Sequence, residues 1–204
     1  MQKIPSYGIA LLALIIAACS VDAEGGEMDA APVNEAVAGD SLLPMREMIA
    51  RFQAEVPPAD SFGPDAAPSR EVLIDRFVAA VADSSAAALS ALTLNVSEFA
   101  HLYFPTSMFA RVPYAQPPAV NWLLLEQNSL KGGRRLLREY GGRRLDVEGH
   151  RCAGAPRVEG ANRIWESCLL VVRGADGRIA ELRLFGSIIE REGRYRLLSL
   201  ANRL

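Results

Sequence analysis

The chemistry of a cysteine depends strongly on the residues around it, and in this chain the residues before Cys19 are the most informative. Lys3 supplies an early positive charge, an apolar run follows over residues 8–18, and small residues stand directly before the cysteine. A cationic start, a short apolar run and a small-residue exit are typical of a secretory signal peptide, because such a run is too short for a permanent membrane-spanning helix. The pattern predicts export, with residues 1–18 as the signal peptide.

The segment Ile16-Ala17-Ala18-Cys19 resembles the lipobox of bacterial lipoproteins. The resemblance covers the first twenty residues. It implies that the Cys19 thiol takes a diacylglyceryl group, that Cys19 becomes the new N-terminus, and that Ser20 permits delivery to the outer membrane. We therefore expect a domain held to a membrane by acyl chains and facing the periplasm or the cell surface, with no cofactor besides this covalent lipid. An ordinary cleaved signal peptide that contains a cysteine is the alternative.

Cys152 and Cys168 are the two cysteines that remain after Cys19 is set aside. An even number of cysteines in an exported protein predicts a structural disulfide. Two buried free thiols and a metal-binding pair are the alternatives. His101 and His150 are the only histidines and no CxxC motif is present, which argues against a metal site.

His101 and Tyr103 lie in an aromatic segment, residues 99–104. A histidine at a helix end among aromatic side chains can line a pocket and serve as a base or a hydrogen-bond donor. A partly buried histidine with a packing role is the commoner outcome and the one expected here. The sequence contains no Gly-x-Ser-x-Gly, phosphate-loop or dinucleotide motif, so we assign no catalytic residue.

A basic stretch spans residues 131–144, with six Lys and Arg residues and one acidic residue, Glu139. Arg134 and Arg138 are four residues apart and share a helix face. One interpretation is a solvated helix end, where the helix dipole favours cations. The other is contact with an anionic surface such as lipid head groups or wall polymer. Export argues against nucleic acid as a partner.

Charge divides the chain into an acidic and a basic part. Residues 20–68 hold ten acidic residues and two arginines, whereas residues 69–204 hold nineteen Lys and Arg against fourteen acidic residues. We interpret residues 19–68 as a lipidated N-terminus and acidic flexible linker, and residues 69–204 as a single domain. An acidic linker that competes for a basic patch on the domain is a second interpretation.

The order of the predicted elements is helices first and strands second. Apolar periodicity predicts a short helix within residues 43–56, helices that begin at the capping residues Ser69 and Asn95, a further helix that begins after the capping segment Asp83-Ser84-Ser85, and a long helix that ends at residues 141–142. Alternation from residue 145 onward predicts an antiparallel meander of about four strands. The expected fold is α+β, with N-terminal helices packed on a curved C-terminal antiparallel sheet.

This order of elements over residues 69–204 resembles the NTF2-like superfamily, the fold of nuclear transport factor 2 and ketosteroid isomerase. The resemblance implies a cone-shaped sheet with a cavity, and ketosteroid-isomerase-like members use an acidic base with a tyrosine-type oxyanion donor. No family motif is present, and a cystatin-like or other α+β sheet remains open.

These observations predict a membrane-anchored envelope protein without catalytic activity, which binds a small apolar ligand in its sheet cavity or a protein of the cell envelope. The alternative is an NTF2-like enzyme of the isomerase or dehydratase type. An enzyme would require a buried titratable pair in the pocket, whereas a binding protein requires only apolar walls.

Overall fold

The computed structural model describes residues 43–201; residues 1–42 and 202–204 lie outside the described part of the chain. Cys19 and the expected signal peptide therefore lie outside the described residues. Every described residue belongs to one compact unit. Among the described helices, none has both the length and the apolar content needed to cross a membrane.

The N-terminal part of the compact unit is helical. Its α-helices are α1 Met45–Ala54, α2 Arg70–Ala82, α3 Ala86–Ala91, α4 Val96–Glu98 and α5 Pro118–Tyr140. A π-helical turn, Phe99–Tyr103, and two 3₁₀ turns, Phe104–Thr106 and Met108–Ala110, connect α4 to the loop before α5.

The C-terminal part forms two antiparallel sheets. Its strands are β1 Asp146–Arg151, β2 Arg157–Glu159, β3 Asn162–Trp165, β4 Leu169–Arg173, β5 Ile179–Leu182, β6 Ile188–Arg191 and β7 Arg194–Leu197. One sheet has the order β1-β4-β5 and the other the order β2-β3-β6-β7. The expected α+β order, with helices before an antiparallel sheet region, is confirmed.

Side-chain caps begin the helices at the positions that the sequence indicates. The Ser69 hydroxyl accepts from the Val72 amide at 3.2 Å, and the Ser85 hydroxyl accepts from the Ala88 amide at the same distance. Asn95 and Glu98 form a full capping box, in which each side chain accepts from the other residue's amide. These caps satisfy amide groups that have no partner within the helix.

The sheet region is more divided than the single meander of about four strands that the sequence predicts. The apolar run 164–173 is split between β3 and β4, which belong to different sheets. Ser167 between them has a φ of 51°, a left-handed conformation that ends the first strand. Residues 179–190 are likewise divided between β5 and β6. Alternating hydrophobicity does not show the second break, where β5 is almost wholly exposed and β6 is buried at three successive residues.

Cys152 and Cys168 form a disulfide, as the sequence predicts. The bond joins the residue after β1 to the residue before β4 and closes a separation of sixteen residues. Cys168 lies between two strands, not within one. A loop of this size corresponds to about 3 kcal/mol of stabilisation in the chain-entropy description.

Two clusters of buried apolar side chains form the core. In one, Phe77 on α2 meets Phe185 with ring centroids 5.1 Å apart. In the other, the fully buried Phe99 contacts the rings of Phe52 on α1 and Trp122 on α5. Because α1 packs into this core, the described part of the expected flexible linker, residues 43–68, belongs to the folded unit and not to a solvated tether.

Candidate functional site

An apolar groove runs between α3 and α5. It consists of two adjoining cavities of about 190 and 300 Å³, which share Ser90, Thr93, Ser129 and Leu130. We call it the α3–α5 groove. Apolar side chains form most of its walls: Ala86, Leu89, Leu137 and Leu200 in the first cavity, and Leu94, Val96, Trp122, Leu125 and Leu198 in the second.

Small residues on the facing helices leave the space for the groove. Ala86 and Ser90 are four residues apart on α3 and therefore lie on one face. On α5, Leu130, Gly133 and Leu137 follow one another at intervals of three and four residues and share the face that lines the first cavity. A larger residue at position 86, 90 or 133 would fill the groove. The volume of the groove therefore depends on the small size of these three residues.

Three hydroxyl groups line the groove, and two of them have hydrogen-bond partners within the protein. The Thr93 hydroxyl donates to the Ser90 carbonyl oxygen at 2.8 Å, and the Ser129 hydroxyl accepts from the Leu200 amide at 3.2 Å. Thr93 has thus used its only donor, whereas Ser90 and Ser129 keep an O–H donor where the two cavities meet. The wall therefore suits a mainly apolar ligand.

Arg134 lines the first cavity of the groove, so the structure places one expected contact residue at this site. Its side chain is exposed and has no carboxylate partner among the described residues. Arg138, one turn further along α5, lies outside the groove. It belongs to a shallow polar surface formed by Gln127, Asn128, Lys131, Arg134, Arg135 and Arg138.

His101 and Tyr103 lie elsewhere, in the π-helical turn, and the structure does not bring them together with Arg134. His101 is half-buried, and its Nε2 atom is buried without a hydrogen-bond partner in the described residues. Tyr103 is almost fully buried. Burial raises the pKa of the Tyr103 hydroxyl well above its usual range, and the nearby Glu159 carboxylate raises it further.

A buried polar network fixes the π-helical turn on the second sheet. Glu159 on β2 accepts from the Met108 amide at 2.9 Å and pairs with Arg157. The side-chain amide of Asn162 donates to the Leu102 carbonyl oxygen at 2.7 Å. The network has a structural role, because its bonds join backbone groups of the π-helical turn and of the 3₁₀ turn Met108–Ala110 to the β2–β3 hairpin. The sequence signal for it was weak: two charged residues on one face of a three-residue strand.

The sequence analysis did not predict the walls of the groove. The small residues at positions 86 and 90 of α3 are the sequence signal that could have indicated them.

Within residues 43–201, no group of three or more His, Cys, Asp or Glu side chains is arranged to hold a metal ion.

Comparison of the chain with protein-family models, curated proteins and solved structures finds no match. The groove lies between helices, whereas the sequence-based expectation placed the ligand in a sheet cavity.

Proposed function

We propose that this protein is a bacterial envelope lipoprotein, anchored through acyl chains on Cys19, whose domain binds a small apolar ligand in the α3–α5 groove without converting it. The apolar groove is the observation that supports binding. The segment Ile16-Ala17-Ala18-Cys19 supports export and lipid anchorage. Acyl chains contribute about 0.8 kcal/mol per buried methylene group, so several chains hold a protein firmly to a membrane.

The charges at the groove favour an elongated ligand with one anionic end. Arg134 and Glu126 are the titratable side chains that line it, one in each cavity. They are eight residues apart on α5, about 12 Å along the helix axis. An anionic group would be attracted to Arg134 and repelled by Glu126, so the apolar part of the ligand would extend from Arg134 toward Trp122. A fatty acyl chain has this chemistry.

The same separation favours binding over catalysis. General acid–base chemistry requires titratable groups within hydrogen-bond reach of one reacting centre. Arg134 and Glu126 are exposed and too far apart to act on one atom. Among the described residues, no hydrogen bond joins the hydroxyls of Thr93 or Ser129 to a carboxylate or a histidine; their bonds are to backbone groups. The groove therefore provides an apolar binding surface, and it contains no pair of titratable groups placed for acid–base catalysis.

Native mass spectrometry and palmitate titration test this proposal on residues 19–204 carrying Cys19→Ser, a chain that keeps the whole compact unit. We expect a retained lipid adduct or saturable palmitate binding. Ala86→Trp should abolish binding by filling the groove. Ala88→Trp is the matched control, because Ala88 is also exposed on α3 but does not line the groove. Leu130→Glu should weaken binding by placing a carboxylate between the two cavities.

Arg134→Gln tests the orientation of the ligand. It should weaken binding of palmitate and leave binding of the uncharged alcohol hexadecanol unchanged. Equal palmitate binding by the Ala86→Trp and Ala88→Trp variants would show that the groove is not the site. Absence of any adduct or of saturable binding would remove the apolar-ligand proposal and leave an envelope protein as the expected partner.

A further inference from the structure

The solvent-facing side of α5 carries two different kinds of side chain on one face. Residues 120, 124, 131 and 138 follow the helix repeat and lie in one row, with Leu123 and Arg134 beside it. We call the six residues Val120, Leu123, Leu124, Lys131, Arg134 and Arg138 the outer face of α5. The first three are apolar and the last three are basic, so the face changes from apolar to cationic along the helix.

The apolar half of this face is exposed. Val120, Leu123 and Leu124 have exposed fractions of 46%, 53% and 50%. The loop that leads into α5 adds Val112 and Tyr114, which are exposed as well. Single exposed apolar residues are common, but several on consecutive turns mark a surface that contacts another molecule or a membrane.

The basic half of the face has no acidic counterpart in the described part of the chain. None of the ion pairs there involves Lys131, Arg134 or Arg138. From Val120 to Arg138 the two halves extend over about 27 Å of helix. Three uncompensated cations beside exposed apolar side chains match the chemistry of an anionic lipid surface, which offers phosphate groups above an apolar layer.

We propose that the outer face of α5 is a docking surface for an anionic lipid bilayer. The apolar side chains of the first turns enter the boundary between head groups and acyl chains, and the basic side chains of the last turns contact lipid phosphates. This contact is separate from the covalent anchor at Cys19, and it shares one residue, Arg134, with the α3–α5 groove. It would fix the orientation of the domain at the membrane, which acyl chains alone do not do.

A second copy of this chain is a poorer occupant of the same face. In a symmetric pair each copy presents the same patch. Such a pair would bring six cations together without a carboxylate on either face. An anionic bilayer satisfies both halves of the surface at once.

Vesicle co-sedimentation of residues 19–204 with Cys19→Ser tests the proposal without the acyl anchor. We expect binding to vesicles that contain phosphatidylglycerol, loss of that binding as salt is raised, and little binding to pure phosphatidylcholine vesicles. Lys131→Gln and Arg138→Gln should each weaken the partition coefficient about fivefold, since one basic residue near an anionic surface contributes about 1 kcal/mol. Arg138→Lys should bind like the parent chain.

Arg178→Gln is the matched control, because this residue is highly exposed on the turn before β5 and lies outside α5. It should leave binding unchanged. Leu123→Ser/Leu124→Ser should weaken binding through the loss of apolar contact. Ala86→Trp, which fills the groove and leaves the charge of α5 unchanged, should still bind vesicles, so this test and the palmitate test can fail separately.

Three results would overturn the proposal. One is equal binding to anionic and neutral vesicles, and another is an equal loss with Arg138→Gln and Arg178→Gln. The third is a dimer in sedimentation velocity that Leu123→Ser/Leu124→Ser dissociates, which would assign the face to contact between copies of this chain.

Discussion

Arg196 on β7 and Glu98 at the end of α4 form a buried ion pair, with 3.0 Å between Nη2 of the arginine and Oε1 of the carboxylate. Their side chains are 3% and 2% exposed. Glu98 also accepts from the amides of Gly63 and Asn95. Arg196 also donates to Asp65. The pair thus joins the last strand to the helical region and to the loop before α2.

We predict that Arg196→Ala lowers the free energy of unfolding by about 3–5 kcal/mol, because it leaves the buried Glu98 carboxylate without its cation. Urea unfolding at pH 7 measures the change. Arg178→Ala, at a highly exposed arginine, should cost at most about 0.5 kcal/mol. A loss below about 1 kcal/mol for Arg196→Ala would show that the pair contributes little to the fold.

Asp65 provides a pH-dependent contribution to stability. Its hydrogen bond with Arg196 lowers the pKa of the carboxyl below the ordinary value of 3.8. A lowered pKa means that the contribution is present above pH 3.8 and is lost as the pH falls through the lower, folded-state value. The side chain is 59% exposed, so solvent screening keeps the contribution at or below about 1 kcal/mol.

Asp65→Asn should therefore reduce the free energy of unfolding at pH 7, and its difference from the parent chain should shrink toward zero in acid. Urea unfolding over a series of pH values measures this. Asp75→Asn removes an exposed carboxylate that has no ion pair in the described residues, and it should change the free energy of unfolding at pH 7 by less than about 0.5 kcal/mol. A difference that grows in acid would contradict the stated sign.

Gly132 and Gly133 should respond in different ways to alanine, although they are neighbours in α5. A Cβ atom at position 132 would lie 2.0 Å from the Leu200 carbonyl oxygen, a backbone group that cannot move alone. At position 133 it would lie 3.2 Å from the end of the Leu200 side chain, which can adjust. Alanine also improves helix propensity by about 1 kcal/mol over glycine.

We expect Gly132→Ala to destabilise the fold by about 1–3 kcal/mol, because the overpacking outweighs the gain in propensity. Gly133→Ala should remain within about 1 kcal/mol of the parent chain. Thermal unfolding of the two variants measures the contrast. Equal stability of the two would show that α5 does not approach Leu200 as closely as the structure indicates.

Cys19→Ala tests the proposed anchor. The variant should lose incorporation of labelled fatty acid and accumulate as an unprocessed precursor, because the proposed acylation site is the thiol. Metabolic labelling followed by membrane fractionation measures both effects. Cys152→Ala/Cys168→Ala is the control, since it removes the other thiols and should still be labelled. Unchanged labelling of Cys19→Ala would exclude lipidation at this residue.

Local patterns made several features predictable from the sequence. Ser69, Ser85 and Asn95 cap helices because their side chains accept from amides only three residues away. The Cys152–Cys168 bond was predicted because these are the only cysteines after Cys19. The turn at residues 192–193 follows from Glu-Gly between alternating strands, and both residues have positive φ.

Contacts between distant segments were not predictable in the same way. Residues 43–68 belong to the folded unit because Phe52 contacts Phe99 and Asp65 pairs with Arg196. These residues are far apart in the chain, so no local sequence pattern predicts that they are in contact. The α3–α5 groove arises from small side chains on two helices that the chain separates by about thirty residues, so it exists only once they pack.

The sequence by itself determined the signals that act locally: the expected export segment, the helix caps, the cysteine pair and the α+β order of elements. Tertiary structure decided which faces are buried, how the apolar runs divide between two sheets, and which side of α5 remains exposed. The reason is physical, since hydrogen-bonded caps and turns depend on neighbouring residues, whereas burial depends on the packing of segments that are distant in the chain.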